Sequence, residues 1–208
     1  MEITKISVQV RNPERVNLYV DGKFYRGLDR LVALKLGLKS GLTINPRLID
    51  RLETTQSENS AWEWALRSLQ ISPKSIRDMR MKMKRKFESE LVESIMKKLE
   101  NVGLLNDEKF AERLVGDLVR RGTKSKKEIS LKLRQKGITT DISKLVLEQI
   151  ESDADAVLKL ALIKNRGLRE DLLWRERYEK IVSYLARKGF SYADIQKVVT
   201  KENLDSTS

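Results

Sequence analysis

The sequence predicts a mainly α protein, built as tandem three-helix repeats in an elongated curved array behind a small N-terminal β-hairpin/helix domain. Three observations predict it. From Ser60 onward, apolar residues recur at helical spacing between recognisable caps. A pattern about fifty residues long occurs three times. Strict apolar–polar alternation is confined to the first 28 residues.

The N-terminal domain, residues 1–58, opens with Ile6, Val8 and Val10 alternating with Ser7, Gln9 and Arg11. Asn12-Pro13 breaks the run. Val16, Leu18 and Val20 then alternate with polar neighbours up to Asp21-Gly22, a hairpin signal because both residues tolerate positive φ. Phe24–Arg26 form the return strand. A short helix from Asp29 to Leu36 stops at Gly37, and Asn45-Pro46 starts another with an N-cap and a proline in the first turn. The polar stretch TTQSEN, 54–59, is expected to be the joint between this domain and the repeats.

The repeats are best read from the middle copy. Asn106 caps a helix whose apolar face is Phe110, Ala111, Leu114, Val115 and Leu118, ending at Gly122. Ser125 and Glu128 form a capping box that opens a second helix, with Ile129 and Leu133 facing inward and Gly137 as the left-handed cap. Fifty residues earlier, Ser75 and Asp78 open an equivalent helix with Met79 and Met83; a third copy places Ile181, Leu185 and Gly189 in register. The expected units are 59–103, 104–152 and 153–201, with a frayed tail at 202–208. The first copy lacks the glycine after Lys86, and the third has a stretched section at 165–176.

Composition narrows the function. The formal net charge is +12, spread over the whole chain, which favours an acidic partner. With no cysteine and no histidine, disulfides, thiolate nucleophiles, imidazole bases and Cys/His zinc sites are excluded. Asp107, Glu108, Asp153 and Asp155 sit at helix starts, where they complement the helix dipole. No phosphate-binding glycine loop or nucleophile elbow occurs, so the expectation is a non-enzyme with no cofactor or metal. No apolar run is long enough to span a membrane.

Two basic runs are the candidate partner or DNA-binding surface. The first holds Arg77, Arg80, Lys82, Lys84 and Lys86, and residues 77–86 contain six basic residues against one acid. The second holds Arg120, Arg121, Lys124, Lys126, Lys127, Lys132, Arg134 and Lys136 against the single acid Glu128. Lys82, Lys84 and Lys86 correspond to Lys132, Arg134 and Lys136, and Arg77 to Lys127. A solvated helix face is the ordinary reason for a charge run, but such a face mixes in more glutamate as i,i+4 partners. The three tryptophans, Trp62, Trp64 and Trp174, are expected to pack within helices, with Met81 on the flank of the most basic one.

GLLNDEKFAERLV followed by RRGTKSKKEISLKLRQKGI, with ALRSL, KRKF and ARKGFSYADI in the flanking copies, resembles the signature of the RecX family, regulators of the bacterial recombinase RecA. VDGKFYRGL resembles the N-terminal extension of some members. The N-terminus MEITKISVQVR has no apolar core of a signal segment, so a cytoplasmic protein is expected; the resemblance implies that it, read here as a monomer, binds RecA and the RecA–DNA filament in its groove. It implies modulation of filament growth or disassembly, ATP hydrolysis, strand exchange and coprotease activity, and thereby of recombination, DNA repair and the SOS response. The competing reading is a module that binds single- or double-stranded DNA directly.

Overall fold

The computed structural model describes residues 1–150 and 152–205. Three strands, β1 (Ile3–Gln9), β2 (Asn12–Val20) and β3 (Lys23–Asp29), form an antiparallel meander in the order β1-β2-β3. Asp21 and Gly22 take φ of 47° and 81°, the paired positive values of a tight hairpin turn. Val16, Leu18 and Val20 bury one face of β2, joined by Ile3 and Leu28 from its neighbours. β2 begins at Asn12, so Pro13 lies inside the strand and the expected break is confined to the turn before it.

Helices α1 (Arg30–Lys35) and α2 (Pro46–Ile71) close the sheet's buried face, contributing Ala33 and Leu52 to its core. The Asn45 side chain caps α2 by accepting from the Leu48 amide at 2.8 Å. The expected joint at 54–59 is not there: α2 runs unbroken for 26 residues through it. The polar residues that suggested a loop are instead contacts. Gln56 accepts from the Asp29 amide at 3.0 Å and donates to its carboxylate, which also accepts from Asn59 at 3.2 Å. A polar stretch whose side chains find partners across the sheet edge is a docking seam and not a linker.

The chain divides into two compact units. The first contains Met1–Pro73 and Met79–Asn101, joining the β domain to most of the first copy; the second contains Lys74–Asp78 and everything from Val102 onward. In the first, the part of α3 (Ile76–Lys84) from Met79 onward and α4 (Ser89–Asn101) bury Met79, Met83, Val92, Ile95, Met96 and Leu99, and α2 packs on α4. Trp64 meets Phe87 edge-on at 5.9 Å, in keeping with its expected packing role.

In the second unit, α5 (Asp107–Arg121), α6 (Lys126–Gln135) and α7 (Thr140–Glu148) enclose Ala111, Val115, Leu118, Ile129, Leu133 and Val146. The next set is α8 (Ala154–Arg166), α9 (Trp174–Arg187) and α10 (Tyr192–Val198), centred on Val157, Ala161, Ile181, Leu185 and Ile195. Residues 202–205, expected to fray, lie in a further short helix α11 (Lys201–Asp205) because Leu204 is buried in that core. The rest of the expected tail, 206–208, lies outside the described residues.

Successive copies in the second unit meet by a repeated device. Asp107, at the start of α5, accepts the Ile76 amide at 2.9 Å, and Asp153 accepts the Lys126 amide at 3.3 Å. Each acid thus caps the middle helix of the copy before it, beyond the expected service to its own helix. Each left-handed glycine sits on the same turn. A Cβ on Gly137 would stand 2.8 Å from Cβ of Arg77, and one on Gly189 would stand 3.1 Å from Oγ of Ser125. Both have positive φ, 81° and 87°, so glycine is required for conformation and for clearance. The first copy has no earlier repeat to meet in this way, which accounts for its missing glycine.

The capping box at Ser125 is half formed. Ser125 accepts from the Glu128 amide at 3.2 Å, but the Glu128 carboxylate takes the Lys124 ammonium at 3.0 Å, the stronger, charge-assisted partner. At Ser191 the hydroxyl likewise accepts from the Asp194 amide, at 3.1 Å, and donates to the Asp194 carboxylate.

Candidate partner-binding surface

The middle helices α3 and α6 display most of the candidate cations because their inward positions are apolar at i and i+4, leaving the intervening positions outside. The structure divides the thirteen residues into those held by the fold and those free to meet a partner. Arg80 and Lys84 both pair with Glu93, at 3.2 and 3.3 Å, joining α3 to α4. Lys86 lies over the Trp64 ring, 5.3 Å from its centroid. Arg120 pairs with Asp117 one turn back.

Lys124 is paired with Glu128, Lys126 donates its ammonium to the Ile150 carbonyl, and Lys136 reaches Asp78 at 2.7 Å. All three are half-buried. These contacts tie copies or helices together within the second unit. Arg77 and Lys127 are exposed at their heads, while their stems lie beneath Gly137 and Gly189. Lys82, Arg121, Lys132 and Arg134 are exposed and face solvent.

Lys127 and Arg134 meet cations absent from the sequence-derived set. A groove of about 580 Å³ between α6 and α9 is lined by Lys127, Leu131, Arg134, Arg187, Lys188 and Gly189. Its one carboxylate, Glu128, is already neutralised by Lys124. Lys188 could have been found from the sequence, since it is the third copy's counterpart of Lys136. Arg187 could not, because only the packing of α9 beside α6 brings it here.

Two acids report the local field. Glu93 is held below the ordinary carboxylate range, first by its hydrogen bond from Lys84 and further by the charge of Arg80. Asp153 is pushed up by burial, which outweighs the Lys126 amide it accepts. Among the described residues, no group of three or more acids could hold a metal ion, and no helix is long and apolar enough to cross a membrane.

Family models cover most of the chain. The regulatory protein RecX N-terminal domain matches residues 1–45, the second three-helix domain of RecX matches 106–147, and the third matches 151–199. A regulatory protein RecX of Clostridioides difficile is 29% identical over 96% of this chain and 94% of its own length. One from Listeria innocua is 27% identical over 97% of this chain and 76% of its own. A crystal structure of regulatory protein RecX superposes with a TM-score of 0.79 at 28% identity, covering 95% of this chain and 98% of that one. RecX from Lactobacillus salivarius gives 0.63 at 25% identity, over 72% of this chain and 97% of the other. The relatives carry a regulatory name and not that of an enzyme family. With the β domain and both later three-helix domains in their family order, the chain belongs to the RecX family of regulatory proteins.

Proposed function

We propose that this chain is a cytoplasmic, monomeric, non-enzymatic regulator of RecA. It lies in the groove of the RecA nucleoprotein filament and acts mainly as an inhibitor of filament growth and of the ATPase, strand-exchange and coprotease activities that depend on it. The observation that carries the reading is the family match along the chain, joined to exposed cations that recur at equivalent places on α3 and α6.

A ligand moves an assembly equilibrium only through its different affinity for the two states. Inhibition therefore requires tighter binding to a non-extending filament than to a growing one. Several weak modules on one chain achieve this by reaching more than one protomer, since each later contact is made at high effective concentration. Lys82, Lys127, Lys132 and Arg134 supply the electrostatic part of that contact.

The test is the single-stranded-DNA-dependent ATPase of RecA with this protein titrated in, beside its affinity for DNA alone at two salt concentrations. Inhibition below the concentration that occupies the DNA supports action on the filament. Inhibition that tracks saturation of free DNA, with a steep loss of binding as salt rises, supports the second reading, a module acting directly on DNA. The basic groove between α6 and α9 is the feature that favours that alternative.

A further inference from the structure

We propose that the open face of the N-terminal sheet is a site for single-stranded nucleic acid, with Phe24 as the stacking platform. The inference stands apart from the RecA reading and concerns a surface remote in sequence from the basic helices.

Alternation in β2 sends Val16, Leu18 and Val20 into the core and Arg15, Asn17 and Tyr19 to the other side. That side is where an aromatic cluster forms. Tyr19 pairs with Phe24 across the β2–β3 ladder, their rings meeting edge-on at 5.9 Å and 77°. Lys5, opposite Tyr19 on β1, holds its ammonium 5.7 Å from the Tyr19 ring centroid. Phe24 is 60% exposed, a large apolar ring left in water on the far side of Tyr19 from Lys5.

Two to four residues along β2 from Tyr19, roughly 7 to 13 Å away at strand rise, a polar cluster follows. Gln9 donates to Asn17 at 2.7 Å, and the Arg15 guanidinium reaches the Gly27 carbonyl at 3.4 Å. Gly27 leaves room for these side chains to lie across the sheet, for its Cβ would stand 2.9 Å from the Gln9 amide nitrogen.

The chemistry selects the occupant. Two cations, Lys5 and Arg15, stand on this face, while the Asp29 carboxylate is engaged by Gln56 and Asn59 and that of Asp21 by the Glu2 amide. An anionic ligand with flat aromatic groups suits a face that carries an exposed ring, two cations and side-chain amides. Bases in a duplex already stack on one another, so an unpaired strand is the form that can use Phe24. The span from Phe24 to Arg15 accommodates about two or three nucleotides.

The experiment uses the full chain and a fluorescently labelled oligothymidylate of about 20 nucleotides, with a duplex of the same length, read by anisotropy. Phe24→Ala is expected to weaken oligothymidylate binding about 5- to 50-fold and leave duplex affinity unchanged. Phe24→Trp is expected to keep the affinity and show indole quenching as the strand binds. Lys5→Glu, which leaves the ring in place, is expected to weaken the single strand as well and guards against a folding defect in the alanine variant. Oligothymidylate affinity unchanged in both Phe24→Ala and Lys5→Glu overturns the proposal, as does an equal loss for single strand and duplex. Unchanged strand affinity with altered RecA inhibition also overturns it, making the face a protein contact.

Discussion

The hydroxyl of Ser125 donates to the carbonyl of Lys188 at 2.7 Å while accepting the Glu128 amide at 3.2 Å. One buried side chain thus caps α6 at its start and satisfies the end of α9, 63 residues away. Ser125→Ala removes both bonds and is expected to cost about 2–3 kcal/mol. Gly189→Ala strains the same junction through its positive φ and should cost about 1–3 kcal/mol. Thermal or urea unfolding of the two single variants and the double variant checks this. The losses in the double variant should fall short of additive, because both act on one contact.

The Asp29–Gln56 clasp makes a second claim, that α2 is one rod through the polar stretch at 54–59. Limited trypsin digestion should cut first at Arg169, exposed in the turn-rich segment before α9, and spare Arg51 inside α2. Early cleavage at Arg51 would restore a joint there. Gln56→Ala should destabilise the first unit by about 1–3 kcal/mol, since Asp29 loses partners on both its amide and its carboxylate.

The thirteen candidate cations should separate by role. Reversing Lys82, Lys127, Lys132 and Arg134 to glutamate should abolish inhibition of the RecA ATPase with little change in melting temperature, as expected of exposed heads. Lys136→Glu should do the opposite first, lowering stability by about 1 kcal/mol or more by placing a second carboxylate against Asp78. A melting scan beside the ATPase titration distinguishes the two sets.

The bridge from Lys84 and Arg80 to Glu93 should show itself in pH dependence. The fold depresses the Glu93 carboxyl, so the stabilisation is present above the unfolded-state value and is lost as pH falls through the folded one. The difference in melting temperature between the wild type and Glu93→Gln should therefore be positive at pH 7 and shrink toward zero through the acidic end of the carboxylate range. Added salt should shrink it too, because the pair is exposed.

Much of this protein follows from local chemistry. The Asp21-Gly22 turn, the Asn45, Asn106 and Ser125 caps, and the inward pairs Met79/Met83, Ile129/Leu133 and Ile181/Leu185 depend on φ preference, cap geometry and helical period. These are properties of a few neighbouring residues, and the order of residues alone determined them. The family was legible for the same reason, through a long run of such signals in fixed order. What only tertiary structure decided is where polar residues find partners far along the chain. Gln56 and Asn59 read as a loop until Asp29 stands beside them; Lys126 and Lys136 read as free charges until the Ile150 carbonyl and Asp78 take them. Leu204 reads as part of a frayed tail until the core of the last helices covers it. A charge or an amide has the same local signature whether water or a distant residue satisfies it, and packing alone settles which.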